Sequence, residues 1–422
     1  MLQSLKDKMN AISEQGLCTG CGICQSLAGK ENIKLAKTSN GFERPVIVGK
    51  LSEELVNKIY DVCPGISING MPQDRISKYS KFDKVWGPWL RLVRAWASDN
   101  EVRYKASTGG VLTALGQFLI RKKKVERILH IKASKSDVTF GEQQLSFTTN
   151  QVLEGTGARY GPAAPLVNVK EILDQNITIA IIAKPCDLTA LRNYIYYDDR
   201  VNKLVKYWLT PVCGGYMTPE GLSKFLSRNA INYQHIKNFR YRGHGCPGPT
   251  RVETYSEIKD FHYLDFWGEG ESSWPLPFRC NLCADGIGEV ADIVASDTWE
   301  NGSPNREDSE TDLGTNGVII RTDAGNELFN EAVEEGDIII EKDITFEEMN
   351  NYQPHQVQKK YAVQDRYIAL EDLQRMRPKT KDLRIEELSS ELNEQQREFE
   401  KNNTKKRIVQ GKGIEPTPSK LN

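Results

Sequence analysis

Nine cysteines, eight of which fall into two foursomes, constrain this 422-residue chain more than any other feature. Three stand in Cys18-Thr-Gly-Cys21-Gly-Ile-Cys24, and a fourth, Cys63, is followed directly by Pro64. Cys280-Asn-Leu-Cys283 forms a second tight pair, with Cys186 and Cys213 between the two groups. Only Cys246 is left over. Two sets of four thiolates are what two cubane iron–sulfur clusters require. The chain reads as one built to move electrons.

The two sets differ in strength. Two residues between successive cysteines bring three sulfurs around one cluster corner, and the glycine after Cys21 permits the tight wrapping. A remote Cys-Pro commonly supplies the last ligand, so Cys63 is inferred to close the first set. A structural zinc site is the alternative, although such sites usually pair cysteines two and two. Cys280-x-x-Cys283 taken alone is also compatible with half a zinc knuckle or a redox dithiol. Lys184-Pro-Cys186-Asp and Val212-Cys213-Gly-Gly each follow an expected strand and carry a Pro or Gly to turn the backbone. Cys186, Cys213, Cys280 and Cys283 are therefore the favoured second set. Cys246, in Arg242-Gly-His-Gly-Cys-Pro-Gly-Pro-Thr250, is the rival ligand, or else a loop thiol near a substrate.

A formal net charge of −1 gives no electrostatic case for nucleic-acid binding. The longest strongly apolar run, Ile177 to Ala183, is far short of the roughly 20 residues a membrane helix needs. The N-terminus has no apolar signal core. A soluble cytoplasmic protein is expected, and in that compartment clustered thiols favour metal or redox chemistry over disulfides.

Four regions are expected: residues 1–78, a small cysteine-bearing module; 79–172 and 173–355, the two parts of an α/β core; and 356–422, a charged helical tail. In the core, Leu90–Ala97, Arg127–Ala133, Thr178–Ala183 and Leu204–Val212 read as strands. Val111–Arg121 reads as a helix, since Leu112, Leu115, Phe118 and Leu119 recur at helical spacing. Helices are also expected over Leu188–Tyr194 and from Thr218 through Leu226, the latter with a threonine cap and a first-turn proline. Strands feeding helices imply a partly parallel sheet, with sites beyond the strand C-termini. The tail reads as one or two solvated helices or as a subunit-contact arm.

Two glycine-rich loops stand out. Ser107-Thr108-Gly109-Gly110 precedes the apolar helix, and free amides at a helix start make a phosphate site. Gly157-Ala-Arg159-Tyr160 adds a cation for phosphate and a ring for stacking. Each is equally readable as an ordinary cap or turn. Neither a G-x-G-x-x-G fingerprint nor a Walker loop is present, so a nicotinamide Rossmann site is unsupported. His130 reads as structural, and His235, His262 and His355 have no company. His244 and Cys246 are the candidate catalytic residues.

These motifs, in this order, resemble the coenzyme F-420 hydrogenase/dehydrogenase beta-subunit family over roughly residues 15–350. The segments that carry the likeness are Cys18-x-x-Cys21-Gly-x-Cys24, Ser107 to Leu115, Gly157 to Tyr160, Lys184 to Arg192, Cys280-x-x-Cys283-x-Asp285, Ala291 to Ile293 and Ser296 to Trp299. The resemblance implies a flavin-binding core with an N-terminal ferredoxin-like module. It implies FAD held by Ser107, Thr108, Gly109, Gly110, Gly157, Arg159 and Tyr160. It implies two 4Fe-4S clusters, the second on Cys186, Cys213, Cys280 and Cys283. Members with the N-terminal module resemble two-cluster reductases such as 7-hydroxymethyl chlorophyll a reductase. The expected function is an oxidoreductase that passes electrons between clusters and FAD to reduce or oxidise an organic substrate or a deazaflavin coenzyme. The alternative is a non-catalytic electron-transfer subunit of a hydrogenase or formate dehydrogenase complex. Ferredoxin or a redox partner subunit is the implied partner, and a homo-oligomer is allowed. The Gly243–Thr250 loop and Trp267-Gly268-Glu269 are absent from the short hydrogenase subunits, and a different substrate pocket is expected there.

Overall fold

The computed structural model describes residues 4–270, 274–307, 309 and 311–420. Its centre is an eight-stranded mixed sheet. In chain order the strands are β1 (Arg91–Ala97), β2 (Arg127–Ala133), β3 (Gly141–Ser146), β4 (Ile179–Ile182), β5 (Val205–Pro211), β6 (Ile293–Asp297), β7 (Asn316–Ile320) and β8 (Ile338–Asp343). Across the sheet they run β8-β1-β7-β6-β5-β4-β2-β3. Strands β2, β4, β5 and β6 are mutually parallel, and β3, β7 and β8 pair antiparallel with their neighbours.

The inner strands are apolar on both sides because both faces of the sheet are covered. Side chains alternate across the pleat: Val318 and Ile320 join one core and Ile319 the other. The first core lies under the helices Val111–Arg121 and Asp323–Glu334. The second lies under Pro185–Tyr194 and Val169–Asp174.

The α/β core with a mixed sheet expected from the sequence is present. Strands β1, β2, β4 and β5 and the helix Val111–Arg121 fall where they were expected, to within a residue or so. One boundary moves usefully. The helix expected from Leu188 begins at Pro185, because proline at the first helical position has the right φ and no amide to waste. Cys186 therefore sits in a helical first turn rather than in a loop.

Around this core are three smaller parts. Residues 4–69 form helices Leu5–Glu14, Ile23–Ala28 and Glu53–Val62 beside an antiparallel hairpin, Ile33–Lys37 with Glu43–Ile47. They carry their own core of Met9, Ala28, Ile33, Val56 and Ile59. A three-stranded antiparallel sheet, Ile236–Arg240, Thr250–Thr254 and Ile258–Phe261, packs on an aromatic layer that includes Phe225, Phe239, Tyr241, Phe266 and Trp267.

The third part corrects the sequence reading of a solvated tail. The 19-residue helix Pro354–Asp372 buries Val363, Tyr367 and Leu370. These share one core with Ile12, Leu17 and Cys18 from the front of the chain and with Phe278, Leu282 and Ile408. Lys379–Lys381 adds a parallel strand to Ser67–Asn69. Arg44 makes a two-pronged ion pair with Glu415, both bonds at 2.7 Å. Its charge density hid the burial: long polar side chains on its outer face mask a narrow apolar stripe. Among the described residues, no helix is long and apolar enough to cross a membrane.

Candidate functional site

The first cysteine set is wrapped by glycines. Gly22, at φ 88°, starts the helix Ile23–Ala28, and a Cβ there would meet the Val167 backbone at 2.9 Å. Only glycine fits, and it turns the chain between Cys21 and Cys24. Cys63 ends the helix Glu53–Val62, and its carbonyl accepts from the amides of Ile66 and Ser67 at 2.9 and 2.8 Å. Gly65 lets this turn press on the Cys18 loop, since a Cβ would lie 2.4 Å from the Leu17 carbonyl oxygen. Cys18, Cys21, Cys24 and Cys63 thereby border one small cavity of about 20 Å³. Burial and the neighbouring thiols of the set push the Cys63 thiol up to about 12 and hold Cys21 and Cys24 well above the usual range.

The second set is assembled from remote elements. Cys186 follows β4, Cys213 follows β5, Cys280 lies in the short helix Phe278–Asn281, and Cys283 lies just past it. All four border a cavity of about 30 Å³. Gly215, at φ 129°, allows the Cys213 loop to lie against Cys280, because a Cβ would stand 3.2 Å from the Cys280 Cβ. The Cys213 backbone is held at both ends: its amide donates to the Gly286 carbonyl at 2.8 Å, and Gln356 Nε2 donates to its carbonyl at 2.9 Å. Burial, with Cys280 and Cys283 adding to it, pushes the Cys213 thiol up to about 12. Burial opposes the charge of Lys184, but Asp187 at 3.5 Å and the thiols of Cys186 and Cys213 outweigh it and strengthen its ammonium form. In both sets the thiols surround a void rather than a point. Among the described residues, no three His, Cys, Asp or Glu side chains could hold a single metal ion.

A larger cavity, of about 290 Å³, opens beyond the C-terminal ends of β4, β5 and β6, beside the start of the helix Val111–Arg121. Ser107, Thr108, Gly110, Gly157, Arg159 and Tyr160 line it. The two glycine loops are tied together, since Ser107 Oγ accepts from the Ala158 amide at 2.6 Å. Gly157, at φ 92°, lies so close to the Arg242 carbonyl that a Cβ would be 3.1 Å away. Gly109 turns out to lie off the cavity wall. It packs against the sheet, where a Cβ would collide with the Asn316 amide at 2.8 Å and the Ala95 carbonyl at 2.9 Å. Arg159 donates to the Val138 carbonyl at 3.3 Å, and burial weakens its charged form.

Several lining residues escaped the sequence reading. Arg242 donates to Tyr160 Oη at 3.1 Å and to the Ser107 carbonyl at 2.6 Å, and forms a two-pronged pair with Asp297 at 3.1 and 3.0 Å. Its guanidinium lies 4.7 Å from the Trp299 ring centre. The signal was available: it is the one cation inside the Gly-rich stretch that also holds His244 and Cys246. Asn316 caps the helix across the sheet, its Oδ1 accepting from the Val111 amide at 3.2 Å. His355 and His130 also line the cavity. Burial and Lys359 lower His355 to about 3, and burial lowers His130 to about 4, so both are neutral. His130 Nε2 is 2.7 Å from Ser146 Oγ.

The candidate catalytic pair is not on this wall. His244 lies against Tyr104 in a tilted arrangement, with ring centres 5.2 Å apart and planes at 53°, and faces Arg240 and Arg251. Cys246 is buried beside Arg242, Asp297 and Asp312, away from both cysteine sets, and burial pushes its thiol up to about 12.

The three cavities are in series. The large one shares Lys184, Cys213, Gly214, Gly215 and Tyr216 with the second-set cavity, which shares Cys18 and Thr19 with the first.

The chain is similar to proteins with related names. It is 22% identical over 342 residues to the coenzyme F420-dependent sulfite reductase of Methanocaldococcus jannaschii, covering 76% of this chain and 47% of that protein. This chain thus spans about half the length of that relative. It is 21% identical over 262 residues to the coenzyme F420 hydrogenase subunit beta of Methanothermobacter thermautotrophicus, covering 60% of this chain and 84% of that one. Its fold matches a chain of the F420-reducing NiFe hydrogenase complex from Methanosarcina barkeri with a TM-score of 0.53 at 19% identity, over 68% of this chain and 96% of that one. Residues 92–171 match the N-terminal region of the family described as coenzyme F420 hydrogenase/dehydrogenase, beta subunit, and residues 177–345 match its C-terminal region. The sheet from Leu92 onward, the helix start at Val111 and the loops that follow β4 and β5 all lie within those two matches, and the chain belongs to the coenzyme F420 hydrogenase/dehydrogenase beta-subunit family.

Proposed function

We propose that this chain is an iron–sulfur flavoprotein oxidoreductase that holds FAD in the large cavity and one 4Fe-4S cluster in each cysteine set. The observation that carries this reading is the series of three cavities with shared walls. The residues fit the groups. Each cysteine set offers a thiolate-only donor set around a void. Ser107, Thr108 and Gly110 line the cavity just before a helix start, the setting that holds phosphate, with the Gly157 loop beside them. Arg159, bonded to a carbonyl and forming no ion pair with the described residues, has its charge to offer an anion.

A flavin held there would supply two-electron chemistry toward an organic substrate or deazaflavin-type coenzyme and one-electron chemistry toward the clusters. The chain's own residues bind, orient and screen. Arg242 locks the Gly157 loop to Ser107 and Asp297. Tyr263, Trp267, Trp274 and Trp299 shield one end of the cavity from water. Lys184, shared by the large and second-set cavities, keeps a positive charge at their junction. The reading requires a compartment where thiols stay reduced, and we assign the cytoplasm.

Protein purified without oxygen is expected to carry about eight irons and one flavin per chain. Zinc without iron, and no flavin absorbance, would refute the assignment. A second reading is a relay subunit without a substrate of its own, with ferredoxin or a partner subunit on each side. It is favoured by the chain's match to 84% of a protein named as a hydrogenase subunit. Turnover that appears only when a partner subunit is added would select it.

A further inference from the structure

The wall between the two cysteine sets contains one residue whose placement neither set explains alone. Arg279 is 3% exposed. Its Nη2 donates to the Pro64 carbonyl at 2.7 Å, directly after Cys63. Its Nη1 donates to the Leu282 carbonyl at 3.3 Å, directly before Cys283. Its Nε has no hydrogen-bond partner. One planar guanidinium thus fastens a ligand loop of the first set to a ligand loop of the second.

Its electrostatic surroundings are equally unusual. The other buried arginines near the sites have carboxylates: Arg44 has Glu415 and Arg242 has Asp297. Arg279 has none among the described residues. Its charge faces Cys283, the Tyr367 hydroxyl, Cys186 and Cys280 on one side and Cys63 on the other. A buried cation held only by carbonyls is costly unless anions compensate it. The anions at hand are these four cysteine thiolates, once they are deprotonated by what they bind.

We propose that Arg279 is the positioning residue of the gap between the two clusters: it fixes the spacing of their ligand loops, and its charge makes both easier to reduce. This rests on the reading that each cysteine set holds a cluster. Adding an electron to a thiolate-ligated cluster increases its negative charge, and a fixed cation in a water-poor wall favours that reduced state. The effect falls on both clusters because the charge lies between them. Lysine cannot substitute fully, since a single ammonium on a flexible stem does not span two carbonyls as the planar fork does.

The test is a redox titration of the intact, iron-loaded chain, followed by electron paramagnetic resonance. R279Q is expected to retain its iron and to show at least a tenfold shift in the reduction equilibrium of each cluster, which is about 59 mV for one electron, toward harder reduction. R279K is expected to show a smaller shift in the same direction. Unchanged potentials in R279Q with full iron would overturn the proposal. If R279Q loses iron, R279K decides: both clusters retained and harder to reduce supports it, and unchanged potentials overturn it. Wild-type protein without iron would instead defeat the cluster reading itself.

Discussion

The two cysteine sets are built by opposite means. The first takes three thiols from one short segment and a fourth from the end of a helix in the same small unit. The second takes its thiols from the helix start after β4, the loop after β5 and the Phe278–Asn281 turn with the residues just past it, elements that only the assembled sheet brings together. The first set is braced by glycines that let backbone touch backbone. The second is ringed by Lys184, Arg279 and Lys359, and the tail helix holds it through Gln356. A locally built site takes its ligands from one unit, whereas one built from strand ends depends on the sheet and shares its neighbours. It is the second set, accordingly, that shares a wall with the large cavity.

Removing one thiol from each set separates them most sharply. Cys213→Ser and Cys21→Ser are each expected to lose roughly half of about eight irons. Cys213 also lines the large cavity, so Cys213→Ser should lose flavin as well, while Cys21→Ser keeps it. Iron analysis and flavin absorbance on the two purified variants measure this. Equal flavin content in both would break the distinction.

The next largest effect concerns the tail. Lys360 and Arg384 both pair with Glu289, which is fully buried just past Cys283. Lys360→Met leaves that carboxylate with one of its two cations, and breaking a buried pair costs about 3–5 kcal/mol. The unfolding midpoint in denaturant should fall, and the second set should lose iron before the first. Burial alone would raise the Glu289 carboxyl, but Lys360, Arg384 and Arg321 outweigh it and hold it below the usual range. Its contribution is therefore fully present above the unfolded carboxyl value near 4.3 and is lost as pH falls through the lower folded value. A stability profile that is flat below pH about 5 in the wild type would contradict this.

Arg159→Met probes the large cavity without touching either set. Losing a charge-assisted bond to an anion costs about 1.5–3 kcal/mol, which is roughly a ten- to hundredfold weaker flavin affinity. Iron content should not change. Flavin titration of the apoprotein gives the number, and unaltered affinity would remove Arg159 from the phosphate role.

The same contrast governs what could be read from the sequence. The helix Val111–Arg121 and the strands around it were legible because apolar period is a local signal, although the helix is capped by the remote Asn316 and not by Ser107 or Thr108. The three-cysteine run was legible for the same reason. Asn316 and His355 were not, since each reaches the site from an element remote in sequence. The Cys186 turn was misplaced by a few residues because Pro185 starts a helix as readily as it ends a loop. The tail was misjudged because its exposed charges outnumber its buried Val363, Tyr367 and Leu370.

The smallest expected effect tests the cysteine that belongs to neither set. Cys246 was the rival ligand for the second set, in a loop that differs from shorter family members. The structure puts its side chain beside Arg242, Asp297, Asp312 and Trp299, and it borders neither cysteine-set cavity. Burial keeps it a thiol near neutral pH, so it is a poor nucleophile as well as a remote ligand. It packs instead under Gly314, where a Cβ would come within 3.1 Å of its own Cβ. Cys246→Ala should therefore keep both cluster signals and the flavin. It should cost about 1 kcal/mol or less, the loss of one small buried group. Any loss of iron in Cys246→Ala would return Cys246 to the second set and make that set, unlike the first, one with five thiols competing for four places.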